Sequence, residues 1–392
     1  MQCMPLWLLL RRVQLGKGWF NARHTGTESV KDSRTPVCRR FLRPGKVFLV
    51  LFISRSRGCS SCVLGRPSTA EHAMQCMARL VRVLLGSEAI ADRKLEWGAT
   101  LVVLGVQISP LESGFRLLPA RAKANKCIQA IASAIRTGYM MPGTAEKLAG
   151  RLSWATQFIF HRLGRAMLRP IFDQKRIRNG KVGDALKLAL RWWLFVLELE
   201  LCEDNLWVVP QTEVAHIFVD ARGEPPRCAA VLFLDGRWYY TDGRPSSRII
   251  ERLAPRRDNQ IMAYESIAIL LGLSTFSKLL SGRRVVVWSD NKGAEVRMTW
   301  YTGIVNGSHA LFQAAARKGS ARSWDHCQII HEIWTVALLN HCHIWIERVA
   351  SDDNISDLPS RERYELLEEL GAEWRPPLLA KPCLEDILPI CE

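Results

Sequence analysis

The segment from residue 211 to residue 370 carries three strand patterns in succession and then alternates between helices and strands. Asp235-Gly236, between the second and third strand patterns, is a strong signal for a two-residue hairpin turn. The predicted strands cover residues 216–220, 228–234, 237–241, 283–289 and 343–349, and the predicted helices cover residues 259–280, 323–340 and 355–370. A strand meander followed by helix–strand alternation predicts an α/β fold with flanking helices. For the sheet we expect a mixed arrangement of five strands in the order 3-2-1-4-5.

The first half of the chain has a different pattern. Residues 1–67 show no sustained period, so we predict a poorly ordered basic segment there. We predict a helix at 70–85, a strand at 101–108 with a hairpin partner at 115–118, and helices at 120–136, 143–172 and 181–200. The helical region places Trp154 and the pair Trp192-Trp193 in the core. The predicted domains are residues 1–67, 68–119, 120–210 and 211–372, followed by a tail at 373–392.

Positive charge is concentrated in the first half of the chain. The formal net charge is +16; residues 1–70 hold 13 Lys and Arg against two Asp and Glu, whereas residues 211–370 hold 19 against 20. Between residues 162 and 181 the basic residues form a dense stripe, which would neutralise phosphates and release counterions. A solvated basic surface is the alternative, but we favour nucleic acid as the partner because the near-neutral half carries the candidate chemistry.

The sequence predicts neither a membrane span nor a secretion signal. A spanning helix needs roughly 20 apolar residues, and the longest apolar runs are residues 5–10 and 47–53. The first run lacks a small-residue cleavage site and is followed by Arg11 and Arg12. We therefore expect an intracellular protein, nuclear or cytoplasmic, without a membrane partner. The 12 cysteines have no repeated spacing, which is typical of reduced thiols.

Four acidic residues lie at the ends of the predicted strands or on the helices beside them. Asp220 ends the first strand, Glu265 lies in the helix after the meander, Asp290 ends the fourth strand, and Asp357 begins the last helix. Strands one and four are neighbours in the predicted order, so Asp220 and Asp290 lie side by side and the helix presents Glu265 across them. Carboxylates this close repel one another unless a divalent cation shares them, and Mg²⁺ prefers such oxygen ligands.

Each acid also has a structural alternative. Asp290 can cap the helix after it, Asp220 can be a turn residue, and Asp357 can balance a helix dipole. Glu265 is harder to explain in this way, because the helix around it is apolar on most faces. All four acids in this order favour a two-metal site that activates water and stabilises the leaving oxygen of a phosphodiester.

Four motifs carry a resemblance to a known family. They are HIFVDARG (216–223), AYESIAILLGL (263–273), VVVWSDNKGA (285–294) and RVASDDNISDLPSR (348–361). Together they resemble the RNase H-like domain of reverse transcriptases from DIRS-type retroelements, which pair reverse transcriptase with a tyrosine recombinase. With the segment upstream, the resemblance covers about residues 68–375.

That upstream segment resembles the part of a reverse transcriptase that precedes RNase H. Residues 94–109 look like the end of a polymerase palm, with Lys94 as its late lysine and Leu104-Gly105 in the primer-grip hairpin. Residues 147–172 look like the helical thumb or connection. The early Asp and the Tyr-X-Asp-Asp turn of such polymerases have no counterpart in residues 1–67. We therefore expect no polymerase activity from this chain alone and interpret it as a truncated copy of such an element.

The resemblance implies an RNase H that cuts the RNA strand of an RNA/DNA hybrid with two Mg²⁺ ions, or with Mn²⁺ as the alternative. The implied catalytic and metal-binding residues are Asp220, Glu265, Asp290 and Asp357. The implied nucleic-acid-binding residues are Asn291, Arg348, Asn354, Lys147, Arg151, Arg162, Arg165 and Arg169. Recognition would depend on the backbone and width of the hybrid, and an intact reverse transcriptase is a candidate partner.

Two other interpretations stay open at this point. The chain can be a catalytically inert, nucleic-acid-binding remnant of a retroelement in which the fold survives without turnover. A DDE-type transposase shares the same fold class but requires a catalytic Glu in the late helix, and the ending Asp357-Leu-Pro-Ser-Arg argues against it.

Overall fold

The computed structural model describes residues 67–90, 95–98, 100–158, 163–199, 213–253, 260–290 and 319–379, apart from positions 104, 112, 113 and 322, together with four short strands elsewhere. The helices are α1 (Pro67–Leu85), α2 (Arg121–Thr137), α3 (Pro142–Phe158), α4 (Arg169–Gln174), α5 (Asp184–Glu198), α6 (Ser247–Arg252), α7 (Ile261–Thr275), α8 (Ser277–Leu280), α9 (Trp324–Leu339), α10 (Asp357–Ser360) and α11 (Glu365–Glu369). The strands are β1 (Met4–Pro5), β2 (Phe48–Ile53), β3 (Ser60–Gly65), β4 (Leu95–Gly98), β5 (Leu101–Val103), β6 (Val106–Pro110), β7 (Gly114–Pro119), β8 (Asp204–Leu206), β9 (Ala215–Gly223), β10 (Pro226–Leu234), β11 (Arg237–Gly243), β12 (Arg284–Ser289), β13 (His343–Arg348) and β14 (Glu373–Trp374).

The chain divides into two compact units. The first unit contains residues 1–129, 157–161 and 197–210, and the second contains residues 130–156, 162–196 and 211–392. The first unit holds two four-stranded sheets, of order β1-β3-β2-β4 and β5-β6-β7-β8. Within the described residues, no helix combines the length and the apolar character that crossing a membrane requires.

The strand predicted at 101–108 in the first unit is wrong. This segment forms two antiparallel strands, β5 and β6, in which Leu101 pairs with Ile108 and Val103 pairs with Val106. Gly105, at the turn between them, has a φ of 83°, which lies in the left-handed region that glycine adopts without steric cost. The predicted hairpin partner is confirmed, because β7 pairs antiparallel with β6.

The helix predicted at 143–172 is not continuous. α3 ends at Phe158, and α4 begins only after a turn of 3₁₀ helix at Ala166–Leu168. Gly164 has a φ of 80°, and a Cβ atom on it would lie 2.8 Å from the ring of Trp193. Trp192 and Trp193 are buried as predicted. At Gly164 the backbone therefore passes close to the rings of Trp192 and Trp193, in a conformation that does not continue a helix.

The second unit contains the mixed sheet that the sequence predicts. Its order is β13-β12-β9-β10-β11-β14, which is the predicted order of five strands with the short β14 added beside β11. β10 is antiparallel to β9 and β11, whereas β12 is parallel to β9 and β13. The predicted fold class, an α/β fold with a mixed sheet and flanking helices, is confirmed, with six strands in place of the predicted five.

Local sequence explains the centre of this sheet. Asp235 and Gly236 have φ values of 50° and 75°, as a two-residue hairpin turn with positive φ at both positions requires, so the predicted turn is confirmed. α7 is buried from Met262 to Ser274 because it packs on β9 and β10 on one side and on α9 on the other. The sequence of α7 is thus apolar on most faces because the helix is central and covered on both sides.

The single closing helix predicted at 355–370 is wrong. It is replaced by α10 and α11, and between them Glu362 has a φ of 62°. The Glu362 carboxylate accepts hydrogen bonds from Arg222 at 3.3 Å and from Arg227 at 2.5 Å. These two arginines belong to β9 and β10, so contacts with the sheet hold the break in the helix.

Candidate active site

Three carboxylates from three elements meet at one edge of the mixed sheet. Asp220 lies in β9, Glu265 lies on α7, and Asp290 directly follows β12. Because β9 and β12 are parallel neighbours, their carboxyl ends lie at the same edge. One oxygen of each carboxylate lies within 4.8 Å of an oxygen of each of the other two. The structure therefore brings together three of the four predicted acids, and we call them the acidic cluster.

Burial makes the acidic cluster unfavourable without a cation. Asp220 and Glu265 are only 7% and 6% exposed. Burial raises the pKa of Asp220 to about 6, and the charges of Asp290 and Asp357 act in the same direction. Burial also raises the pKa of Glu265 well above its usual range, with added contributions from Asp220 and Asp290. Carboxylates held together against their own repulsion are suited to a divalent cation.

The surroundings of one Glu265 oxygen indicate whether a metal fits this cluster. Its Oε2 atom is buried and has no hydrogen-bond partner among the residues that the structure describes, which is costly for a carboxylate removed from water. The donor set consists only of carboxylate oxygens, the ligands that Mg²⁺ and Mn²⁺ prefer. The residues present therefore fit a hard divalent cation shared by three carboxylates.

The fourth predicted acid, Asp357, lies beside the acidic cluster but is not a member of the group whose oxygens lie within 4.8 Å of one another. Its Oδ1 atom accepts a hydrogen bond of 2.8 Å from Nε of Arg361. Its charge raises the pKa of Asp220, whereas the neighbouring side chain of Ser360 lowers that pKa. The segment around Asp357 thus acts on the cluster through charge and through a hydroxyl.

Hydrogen bonds hold this segment against β9. Asn354 is buried, and its Nδ2 donates to the carbonyl oxygen of Val219 at 3.1 Å. Its Oδ1 accepts from the Ser356 hydroxyl at 2.7 Å. Val219 directly precedes Asp220, so Asn354 ties the start of α10 to the strand that carries the first acid. Its predicted contact with nucleic acid stays a prediction.

The helical residues predicted to bind nucleic acid differ in their surroundings. Lys147 and Arg151 are exposed and lie four residues apart on one face of α3. Arg165 is half-buried, and burial lowers its pKa. Arg169 donates to Asp173 at 2.9 Å. Lys147 and Arg151 therefore form the exposed cationic pair of this set.

Three further residues were predicted to bind nucleic acid. Arg348 ends β13 and is half-buried. Arg162 and Asn291 lie outside the described residues.

Sequence reasoning missed Ser360 and Arg361, although both stand in the closing motif. They follow Asp357 by three and four residues, a spacing that returns to the same side of a helical turn. In the structure, Ser360 acts on Asp220 and Arg361 on Asp357. The available signal was this spacing after an acid already singled out.

Comparisons with known proteins give weak likenesses. No family model matches the chain, and no curated protein matches it. It is similar to a solved structure of the foamy viral protease-reverse transcriptase dRH in complex with double-stranded DNA, with a TM-score of 0.27, 10% identity, and coverage of 82% of this chain and 60% of that chain. A second structure, of the foamy viral protease-reverse transcriptase in complex with double-stranded DNA, has a TM-score of 0.27, 10% identity, and coverage of 83% and 72%. This chain therefore spans about three fifths of the first viral chain.

Proposed function

We propose that the second unit is a divalent-metal-dependent RNase H, which hydrolyses the RNA strand of an RNA/DNA hybrid. The observation that carries this proposal is the convergence of Asp220, Glu265 and Asp290 around a buried Glu265 oxygen without a hydrogen-bond partner. The parallel pair β9 and β12 supplies the edge at which these side chains meet. We infer from the four motifs that the chain derives from the reverse transcriptase of a DIRS-type retroelement, with residues 68–210 as its palm and thumb remnant.

Each acid has a role in this proposal. Asp220, Glu265 and Asp290 hold the metal, and Asp357, beside them, completes the site. Two bound Mg²⁺ ions would supply an activated water and stabilisation of the leaving oxygen. The chain's own contribution is to fix the carboxylates: β9 and β12 set the spacing of the two aspartates, and α7 holds Glu265 in the core.

Charge supports nucleic acid as the substrate class. The chain carries a formal net charge of +16, and Lys147 and Arg151 present an exposed cationic pair in the same unit as the acidic cluster. Such contacts attract a phosphate backbone without reading sequence. Selection of a hybrid would then depend on its width and on the 2′-hydroxyls of one strand.

The test is cleavage of a labelled RNA/DNA hybrid in Mg²⁺ and in EDTA, with double-stranded DNA and single-stranded RNA as control substrates. We expect metal-dependent cutting of the RNA strand of the hybrid alone. Asp290→Asn is expected to abolish cutting and to keep hybrid binding. Asp352→Asn, which removes an exposed carboxylate outside the acidic cluster, is expected to cut like the wild type.

Two outcomes contradict the proposal. Cutting that persists in the Asp290→Asn protein would come from a contaminating nuclease. Absence of cutting by the wild type, with salt-sensitive hybrid binding intact, would identify the chain as an inert nucleic-acid-binding remnant.

A further inference from the structure

We propose that Arg361 contacts a phosphate of the hybrid next to the acidic cluster and so positions the scissile strand. This inference rests on the proposed function and deepens it, because it assigns a substrate contact to an arginine in addition to the four acidic residues. The alternative role for Arg361 is purely structural, as the ion-pair partner of Asp357.

The Arg361 side chain is held close to the carboxylates and is open to solvent. Its Nε donates to Oδ1 of Asp357 at 2.8 Å, and its side chain is 54% exposed. Asp357 raises the pKa of Arg361, and the charges of Asp220 and Asp290 contribute in the same direction. The guanidinium therefore lies within electrostatic reach of three of the four acids while more than half of the side chain faces water.

The guanidinium keeps donors for a ligand. Among the described residues, the one hydrogen bond of the Arg361 side chain is the bond that Nε donates to Asp357. A guanidinium carries five N–H donors in a planar fork, so the Nη groups remain available. This fork matches the oxygens of a phosphate, and it does so with better geometry than a lysine ammonium.

The backbone on both sides of Arg361 is fixed. The hydroxyl of Ser360 donates to the carbonyl oxygen of Asp357 at 3.0 Å. On the other side, the Glu362 carboxylate is bound by the two arginines of β9 and β10. Because these contacts fix the turn, Arg361 can hold the nucleic-acid strand in one position relative to the acids, as orienting a substrate requires.

The charge balance of the site also favours a phosphate near Arg361. Two bound Mg²⁺ ions would balance the charge of the four carboxylates at the scissile phosphate. The phosphates on either side of it would need other cations. Arg361 places one positive charge at the side of Asp357, where a neighbouring phosphate of the same strand can be neutralised.

The experiment compares Arg361→Gln and Arg361→Lys with Arg363→Gln. Arg363 is exposed and lies two residues further along the same segment, so its variant makes the same change of charge. Cleavage is measured for KM and kcat separately. Binding is measured in the Asp290→Asn background with hybrids that carry one neutral methylphosphonate, moved one phosphate at a time along the RNA strand.

We expect Arg361→Gln to raise KM about tenfold, the loss of one charge-assisted hydrogen bond, and Arg363→Gln to leave KM near the wild-type value. Arg361→Lys is expected to recover part of this loss, because it keeps the charge without the fork. One methylphosphonate position is expected to weaken binding when Arg361 is present and to have no further effect in the Arg361→Gln protein. The slope of binding against salt is expected to fall by about one.

A purely structural role gives a different pattern. If Arg361→Gln lowers kcat or stability while every methylphosphonate position keeps its effect on binding, Arg361 supports Asp357 and does not contact phosphate. Binding like that of the Arg363→Gln control would also overturn the proposal. If the wild type cuts no hybrid, the proposed function fails, and the methylphosphonate comparison still decides whether Arg361 contacts a phosphate.

Discussion

Removing one carboxylate from the acidic cluster is expected to stabilise the protein when no metal is present. Oxygens of Asp220 and Asp290 lie within 4.8 Å of each other. Two unit charges at this distance repel by about 3.5 kcal/mol at an effective dielectric constant of ~20. Asp290 is half-buried, so water screens part of this repulsion. We expect Asp290→Asn to raise the free energy of unfolding by about 1–3 kcal/mol in EDTA at pH 8.

The assay is thermal and urea unfolding of the wild type and of Asp290→Asn, in EDTA and then in Mg²⁺. A gain of this size corresponds to a rise in Tm of a few degrees. Mg²⁺ that binds the native state stabilises it by mass action, so the wild type is expected to gain more from Mg²⁺ than the variant does. The difference between the two proteins therefore shrinks or reverses when the metal is added.

Asp352→Asn is the matched control, because it removes one negative charge from an exposed position outside the cluster. It is expected to change stability by less than about 0.5 kcal/mol in either buffer. The reasoning is refuted if Asp290→Asn is no more stable than Asp352→Asn in EDTA, because the carboxylates would then not be held against their repulsion.

Three further predictions concern the residues that support the site and the core. Asn354→Ala removes the donor to Val219 and leaves that carbonyl without its partner; we expect a loss of about 1–3 kcal/mol in urea unfolding, and an unchanged midpoint would show that the tie to β9 carries no stability. Gly164→Ala puts a Cβ at a φ of 80° and 2.8 Å from Trp193; it is expected to lower Tm by several degrees, whereas Gly143→Ala, where a Cβ meets nothing within 4 Å, is not. His331 is buried edge-on against Trp192, and burial lowers its pKa to about 3. Below about pH 6.5 the unfolded chain therefore binds a proton at this histidine that the folded chain does not bind. The free energy of unfolding is expected to fall by about 2 kcal/mol from pH 7 to pH 5. The measurement is urea unfolding at both pH values, and an identical pH dependence in His331→Leu would contradict this assignment.

The parts of the fold that were predicted depend on short-range signals. Asp235-Gly236 specifies a tight turn by itself, and residues that alternate or run apolar between turn residues show where the strands lie. The placement of Asp220 and Asp290 at one edge then follows from the parallel pairing of their strands.

Three elements that were predicted as continuous have a feature in common. Each is interrupted in the structure, and each contains one described residue with positive φ: Gly105, Gly164 and Glu362. The two glycines are visible in the sequence, but their effect depends on a turn in one case and on nearby rings in the other. Glu362 gives no local signal, since arginines from β9 and β10 hold it in place.

The role of Arg361 was missed for a related reason. A cation four residues after an acid is most simply explained as its helical ion-pair partner, and the sequence contains nothing that distinguishes this from a substrate contact. The distinction depends on the exposure of the side chain and on the two other acids that lie within its electrostatic reach.

The central position of β9 has a consequence for the protein while it is being synthesised. β9 and β10 can pair as soon as both have left the ribosome, but the other edge of β9 waits for β12, roughly 55 residues later. At about 5–20 residues per second, that edge exposes unpaired backbone groups for about 3–10 s, and an unpaired edge is a template for another chain. During this interval the strand that carries Asp220 is therefore open to pairing between nascent chains on neighbouring ribosomes.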